Sequence, residues 1–146
     1  KDLWMLSTGT GLAPFMSILY ELETWENYEN IILVYSVREA QELAYMEAIQ
    51  GFKDHEYFGA FAHKFKFLPV VTSEKFDGAL DKRIPVLLEN GELEKNLGIN
   101  LDPNRSRIMI CGNPQMVDDT RAWFTDHDYT VSRRSKPGHL ALENLW

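Results

Sequence analysis

The chain has a single cysteine in 146 residues, so no internal disulfide can staple it. A lone thiol fits a reducing compartment, and a cytoplasmic protein is expected. No apolar run approaches the ~18 residues that would suggest a membrane span, and no charged-then-apolar leader is visible. Neither a membrane nor an export route is therefore expected. Positive charge is in deficit: 15 Lys and Arg stand against 22 Asp and Glu, for a net charge of -7. That balance argues against a general nucleic-acid binder, which carries a basic face. The four histidines (His55, His63, His127 and His139) show no ligand spacing with Cys111, so no metal site is expected. Repeats and low-complexity tracts are absent too. What remains is an ordinary globular composition, 45% hydrophobic and 25% charged, of a length that suits one domain and one core. The chain opens at Lys1, almost inside a strand-like run, so a further domain is expected upstream.

Strands and helices alternate along it. Leu3-Trp4-Met5-Leu6 reads as a buried strand, because Gly and Thr turn residues follow. Phe15, Ile18, Leu19 and Leu22 recur at helical spacing and predict a helix of about three turns, with Pro14 tolerated near its start. Ile31 to Val37 is nearly continuous in apolar, β-branched character, as a parallel strand buried on both faces should be. Glu39 to Phe52 predicts a helix with Leu43, Met46 and Ile49 on one stripe. Phe65 to Val71 is a third strand, and Arg83 to Asn90 a short helix capped by Gly91. Asn96 to Arg105 is polar and irregular. Arg107 to Gly112 is a fourth strand and Pro114 to Asp126 the helix after it; Tyr129 to Ser132 is the candidate fifth, edge strand. The alternation predicts an α/β fold, a parallel five-stranded sheet with helices on both faces. Ligands of such sheets bind outside the carboxyl ends of the strands, at the switch point. That edge collects Ser7 to Leu12, Arg38, Thr72 to Lys75 and Cys111 to Met116, the segments richest in glycine and polar residues.

The loops at this edge carry the candidate chemistry. Gly9-Thr10-Gly11 follows a strand and opens a helix, so it is either a phosphate cradle or a turn that needs glycine for its backbone angles. Pro14 replaces the third glycine of the NAD-type fingerprint. Arg38 lies just past the second strand, where an arginine suits a ribose 2′-phosphate and an acid suits a free 2′-hydroxyl. Its alternative is a solvated arginine beside Glu39 and Glu42. Cys111 reads as a buried small hydrophobe, and with no base nearby in sequence a nucleophilic role is rejected. Trp146 packs either on the domain's own core or on a flat cofactor ring.

Taken together, the chain resembles the bacterial ferredoxin (flavodoxin)–NADP+ reductases, specifically their C-terminal NADP(H)-binding domain. The likeness runs from Leu3 to Trp146. It rests on Leu3-Trp4-Met5-Leu6 with Thr8-Gly9-Thr10, on Arg83-Ile84-Pro85, on Gly91-Glu92-Leu93-Glu94, on Cys111-Gly112-Asn113-Pro114-Gln115-Met116, on Arg133-Arg134 with Pro137-Gly138-His139, and on the final Trp146. The resemblance implies a Rossmann-like domain over residues 1–146, an FAD-binding β-barrel upstream, and NADP(H) and FAD as cofactors. It implies an oxidoreductase that passes hydride between NADPH and FAD and single electrons to ferredoxin or flavodoxin, as a cytoplasmic monomer. By it, Thr8, Gly9, Thr10 and Gly11 line the approach of the nicotinamide and pyrophosphate, and Cys111 is the catalytic residue beside the nicotinamide. Gly112, Asn113, Pro114, Gln115 and Met116 hold the coenzyme at a helix start. Arg38 and Arg83 grip the 2′-phosphate, and Trp146 packs on FAD. Ser73 stands where the family commonly has an arginine, which removes one cation from that site. Arg133, Arg134 and Lys136 belong to a face for an acidic electron carrier. A reductase domain of another flavoprotein electron-transfer component, or a non-catalytic nucleotide-binding module, are the alternatives.

Overall fold

The structure is a computed structural model, and it describes residues 1–144. Five strands alternate with helices: β1 (Asp2–Thr8), α1 (Leu12–Leu19), α2 (Leu22–Asn27), β2 (Asn30–Val37), α3 (Met46–Gln50), β3 (Phe65–Val71), α4 (Ile84–Glu89), α5 (Glu92–Leu97), β4 (Ser106–Gly112), α6 (Pro114–Thr125) and β5 (Leu140–Asn144). They form one sheet in the order β3-β2-β1-β4-β5, and every neighbouring pair is parallel. The expected α/β architecture is borne out.

Strand alternation divides the core into two layers. In β1 and β2 the odd positions (Leu3, Met5, Ile31, Leu33, Tyr35 and Val37) pack with Leu12, Phe15, Met16 and Leu19 of α1, Trp25 of α2 and Ile49 of α3. The even positions (Trp4, Leu6, Ile32 and Val34) pack with Ile84, Leu87 and Leu88 of α4, Leu93 and Leu97 of α5, and Met116, Val117 and Phe124 of α6. Both faces are thereby covered, which is why β1 and β2 are buried almost end to end and read as unbroken apolar runs.

Four local expectations need correction, three of them for reasons that side chains supply. The first helix is two turns long, and Leu22 opens a second one. Thr24 Oγ1 donates to the Ile18 carbonyl at 2.9 Å and Trp25 Nε1 to the Leu19 carbonyl at 2.8 Å. These bonds satisfy the carbonyls that end α1, so the chain can turn there.

No continuous helix spans Glu39 to Phe52. A single 3-10 turn over Ala40–Glu42 is followed by extended Leu43, by Tyr45 at φ 60, and by a five-residue α3. Buried Tyr35 is the cause: its hydroxyl donates to the Glu42 carbonyl at 3.1 Å and accepts from the Ala44 N–H at 3.2 Å. A core hydroxyl takes the groups that a helix would have paired internally. Burial raises the Tyr35 phenol above its ordinary pKa, with the Ala44 N–H pulling the other way, so the donor stays protonated.

The fifth strand is Leu140–Asn144, and not Tyr129 to Ser132. Val131 makes only an isolated bridge to Leu140, while Leu140 to Asn144 pair in register with Ile108 to Gly112. Leu140 and Leu142 join the α4–α6 layer, which the Thr130-Val131-Ser132 stretch cannot do as fully. Helix α5 also lies partly inside the segment expected to be irregular. Gly91, at φ 77, separates it from α4, as its expected cap role requires.

Candidate functional site

Strand β1 leads through α1 and α2 to one side of the sheet, and β4 leads through α6 to the other. The carboxyl ends of β1 and β4 are therefore the switch point, where the loops diverge and leave a crevice. Two glycines let these loops meet. A Cβ on Gly112, which sits at φ 143, would lie 2.8 Å from the Thr8 carbonyl oxygen and 3.0 Å from the Thr8 nitrogen. A Cβ on Gly11 would run into the Cys111 carbonyl, and Gly11 itself has φ -64. Space, and not backbone angle, demands glycine at position 11. Gly9, at φ 50, is the one that serves the turn. Thr8 Oγ1 then accepts from the Asn113 N–H at 3.1 Å and ties the two loops together.

Above this junction opens a cleft of about 580 Å³. Of the residues singled out in the sequence, Thr8, Gly9, Arg38, Arg83, Asn113, Gln115 and Met116 line it. Thr10 is exposed on the turn beside it, and Gly11 and Gly112 are buried beneath. Pro114 sits half-buried in the first turn of α6. Cys111 is 1% exposed and packs in the layer that includes Met5 and Leu12, so it lies behind the loops and not on the cleft surface. Ser73 is exposed and does not line the cleft; its N–H donates to the Arg38 carbonyl at 2.8 Å. Trp146, expected to pack on the flavin, lies outside the described residues. Thr72, expected at this edge, and Glu42, expected only as a neighbour of Arg38, line the cleft too, whereas Ser36, Val37 and Ile84 in the lining and Asp119 behind it were not singled out by sequence reasoning. The one signal for Asp119 is its place one helical turn after Gln115, which shows the Gln115 contact and not the Arg83 one.

The two helix starts at the cleft differ. In α6 the Asn113 carboxamide oxygen accepts from the N–H groups of Gln115 at 2.9 Å and Met116 at 3.3 Å. The Val117 N–H bonds the Asn113 carbonyl, and Pro114 has no N–H. That first turn has no spare donor. Helix α1 has no side-chain cap, nor has the Gly9–Gly11 turn before it. An anion is therefore best met at the β1 loop.

The cations differ as well. Arg83 Nη2 lies 3.2 Å from Asp119 Oδ2, and Gln115 Nε2 donates to Asp119 Oδ1 at 2.8 Å. Arg38 makes no ion pair or side-chain hydrogen bond among the described residues, although three carboxylates surround it in sequence and space. Those acids are held elsewhere: Glu42 accepts from the Glu39 N–H at 2.8 Å, Glu74 from the Ala40 N–H at 2.7 Å, and Glu39 from Gln41. Arg38 is the better-placed cation for an incoming phosphate.

A doubly wound sheet with a glycine loop and two arginines at its switch point is the arrangement of a nucleotide-binding module. The pattern of the oxidoreductase NAD-binding domain matches residues 5–122, and the chain belongs to that family. Within it, the chain is 39% identical over 147 residues to the flavodoxin/ferredoxin–NADP reductase of Buchnera aphidicola, 38% over 147 residues to that of Escherichia coli, and 40% over 150 residues to the ferredoxin–NADP reductase of Pseudomonas aeruginosa. It also superposes with a TM-score of 0.90, at 38% identity, on a ferredoxin NADP+ reductase from Neisseria gonorrhoeae solved with bound FAD and NADP. These comparisons cover 100% of this chain and 55%, 57%, 57% and 56% of the relatives, so the chain spans a little over half of their length. The family resemblance expected from the motifs is borne out. Among the described residues, no helix is long and apolar enough to cross a membrane.

Proposed function

We propose that the cleft binds NADP(H), and that this chain is the NADP(H)-binding domain of a ferredoxin/flavodoxin–NADP+ reductase whose FAD-binding β-barrel stands upstream. Bound NADPH supplies a hydride for the flavin, and the electrons then leave singly for ferredoxin or flavodoxin. The residues fit the coenzyme. The observation that carries the reading is that the glycine turn leading into α1, which no side chain caps, and two arginines open onto one cleft at the switch point. A dinucleotide phosphate needs both, the first for its pyrophosphate and the second for its 2′-phosphate.

In this reading the Thr8–Gly11 turn cradles the pyrophosphate with its backbone. Arg38 and Arg83 face the 2′-phosphate, while Asn113 and Gln115 line the cleft from the start of α6, Gln115 beside Arg83, and Met116 adds an apolar patch. Asn113 orders the β4 loop by capping α6. Cys111 keeps its proposed place beside the nicotinamide. With its side chain buried among apolar neighbours, it acts as a spacer and not as a nucleophile. Trp146 is proposed to pack on FAD. The protein is further proposed to be a cytoplasmic monomer. Its cationic hairpin, where Arg133 and Lys136 exchange backbone hydrogen bonds at 2.9 and 3.1 Å, is proposed as part of the face for the acidic electron carrier.

The test is a calorimetric titration of the full chain with NADP+ and NAD+. Tighter binding of NADP+, lost in Arg38→Ala, is expected. Equal affinity for both coenzymes would sink the 2′-phosphate assignment, and binding of neither would sink the cleft itself.

A further inference from the structure

We propose that Asp119 is a specificity-determining residue that lowers the cleft's preference for a 2′-phosphorylated nucleotide by competing with the phosphate for Arg83. The inference rests on the NADP(H) reading above. Arg38 and Arg83 both line the cleft, yet only Arg83 has a carboxylate against it, at 3.2 Å. Asp119 is not part of the cleft lining. It stands behind the wall on α6, with one oxygen on Arg83 and the other on Gln115 Nε2 at 2.8 Å, and both of those partners do line the cleft. The carboxylate thus draws on two of the polar groups a ligand would meet.

A guanidinium has five N–H donors, and this pair engages Nη2 alone, so Arg83 can take a phosphate without leaving Asp119. What it cannot do is present its full charge. A 2′-phosphate carries close to two negative charges at neutral pH, and both are repelled by a carboxylate one guanidinium away. A nucleotide that lacks this phosphate does not meet the penalty. The other acid of the cleft acts differently: Glu42 is held by the backbone N–H of Glu39, and Arg38 stays unengaged. The geometry therefore makes Arg38 the strong cation and Arg83 an attenuated one, with Asp119 setting the degree.

The pair is well exposed, with side chains 56% and 37% accessible, so the effect is modest. Removing an opposing charge of this kind changes an affinity by roughly two- to fivefold. Asp119→Asn keeps the side-chain volume and an oxygen for Gln115 while removing the charge. Calorimetry on the full chain would compare adenosine 2′,5′-bisphosphate with adenosine 5′-monophosphate, which differ only in the 2′-phosphate. Asp119→Asn is expected to tighten the bisphosphate by about two- to fivefold and leave the monophosphate unchanged. In an Arg83→Ala background the gain should disappear, and raised salt should shrink it. Asp119→Ala, with a melting curve to confirm folding, should tighten the bisphosphate in the same direction. A weaker bisphosphate complex in Asp119→Asn would make Asp119 a positioning residue and overturn the proposal. No change would overturn it too, as would an equal gain without Arg83. If the unaltered chain fails to prefer the bisphosphate at all, the NADP(H) reading falls, and this inference with it; that outcome is read before any variant is made.

Discussion

The β1–α1 and β4–α6 loops occupy equivalent places in the fold, on either side of the switch point, and both contain glycine. Their helix starts nevertheless do opposite things. Asn113 and its backbone carbonyl take the free N–H groups of α6, whereas no side chain caps α1. The longer and more distinctive motif, Cys111-Gly112-Asn113-Pro114-Gln115-Met116, is in good part a self-contained helix cap. The short Gly9-Thr10-Gly11, which recurs easily by chance, has no side-chain cap and borders the cleft at Gly9. How recognisable a motif is says little about how much of its hydrogen-bonding capacity remains for chemistry.

The largest effect that would break this comparison is steric. Gly112→Ala puts a Cβ against the backbone of Thr8 at a positive φ, combining overpacking with backbone strain of roughly 2–4 kcal/mol in all. The melting temperature should fall by roughly 5–15 °C. An unchanged melt would mean that the two loops are not in contact and that the switch-point geometry is wrong.

Next come the arginines. Arg38→Ala should weaken NADP+ by about 1.5–3 kcal/mol, the worth of a charged hydrogen bond, which is on the order of tenfold to a hundredfold. Arg83→Ala should cost less, because Asp119 already shares that cation. Affinity for NAD+ should barely move in either variant. Titrations with both coenzymes decide, and larger losses for Arg83 would reverse the ranking of the two cations.

Asn113→Ala sharpens the contrast between the helix starts. It should lower stability by about 1 kcal/mol through loss of the cap, yet keep most of the NADP+ affinity. If that affinity collapsed while the melt held, the α6 start would be the phosphate site after all.

The smallest effect belongs to the opposite edge of the sheet. His139 Nδ1 accepts from the Thr130 N–H at 2.9 Å beside β5. Burial, reinforced by the nearby Arg107 charge, holds its pKa below the ordinary value of 6.5. The unfolded chain then binds a proton more readily than the folded one. The contribution is fully present above pH 6.5 and is lost as pH falls through the folded value. Melting curves between neutral and mildly acidic pH should show this loss, and His139→Gln should flatten it.

Much of this molecule is readable in its residues, because the strongest signals are local. The apolar run from Ile31 to Val37 admits little but a buried parallel strand, and Arg38 must follow it at the ligand-binding edge. What escapes is set by contacts between residues far apart in sequence or by partners the pattern cannot rank. Glu39 to Phe52 has helical spacing, and only the Tyr35 hydroxyl, reaching across from β2, unwinds it. Thr130 and Val131 look more strand-like than Leu140 to Asn144, but pairing with β4 decides between them. Arg83 was legible as a cation, and its engagement by Asp119, 36 residues on, was not.

The hydroxyl of Tyr35 has a consequence for how damage to this protein would present itself. Its ring lies in the core, 2% exposed, and belongs to no cleft surface. Yet the loop that begins at Arg38 is held at its start by Ser73 and Glu74, just past β3, and at its far end, around Glu42 and Ala44, by this oxygen. Tyr35→Phe would keep the packing and cut that far tether, leaving the Glu42 carbonyl and the Ala44 N–H without their partner and the stretch around them free to sample other paths. The lesion would register as weak coenzyme capture in a protein that still melts cooperatively, and so mimic a defect at the surface while lying wholly inside.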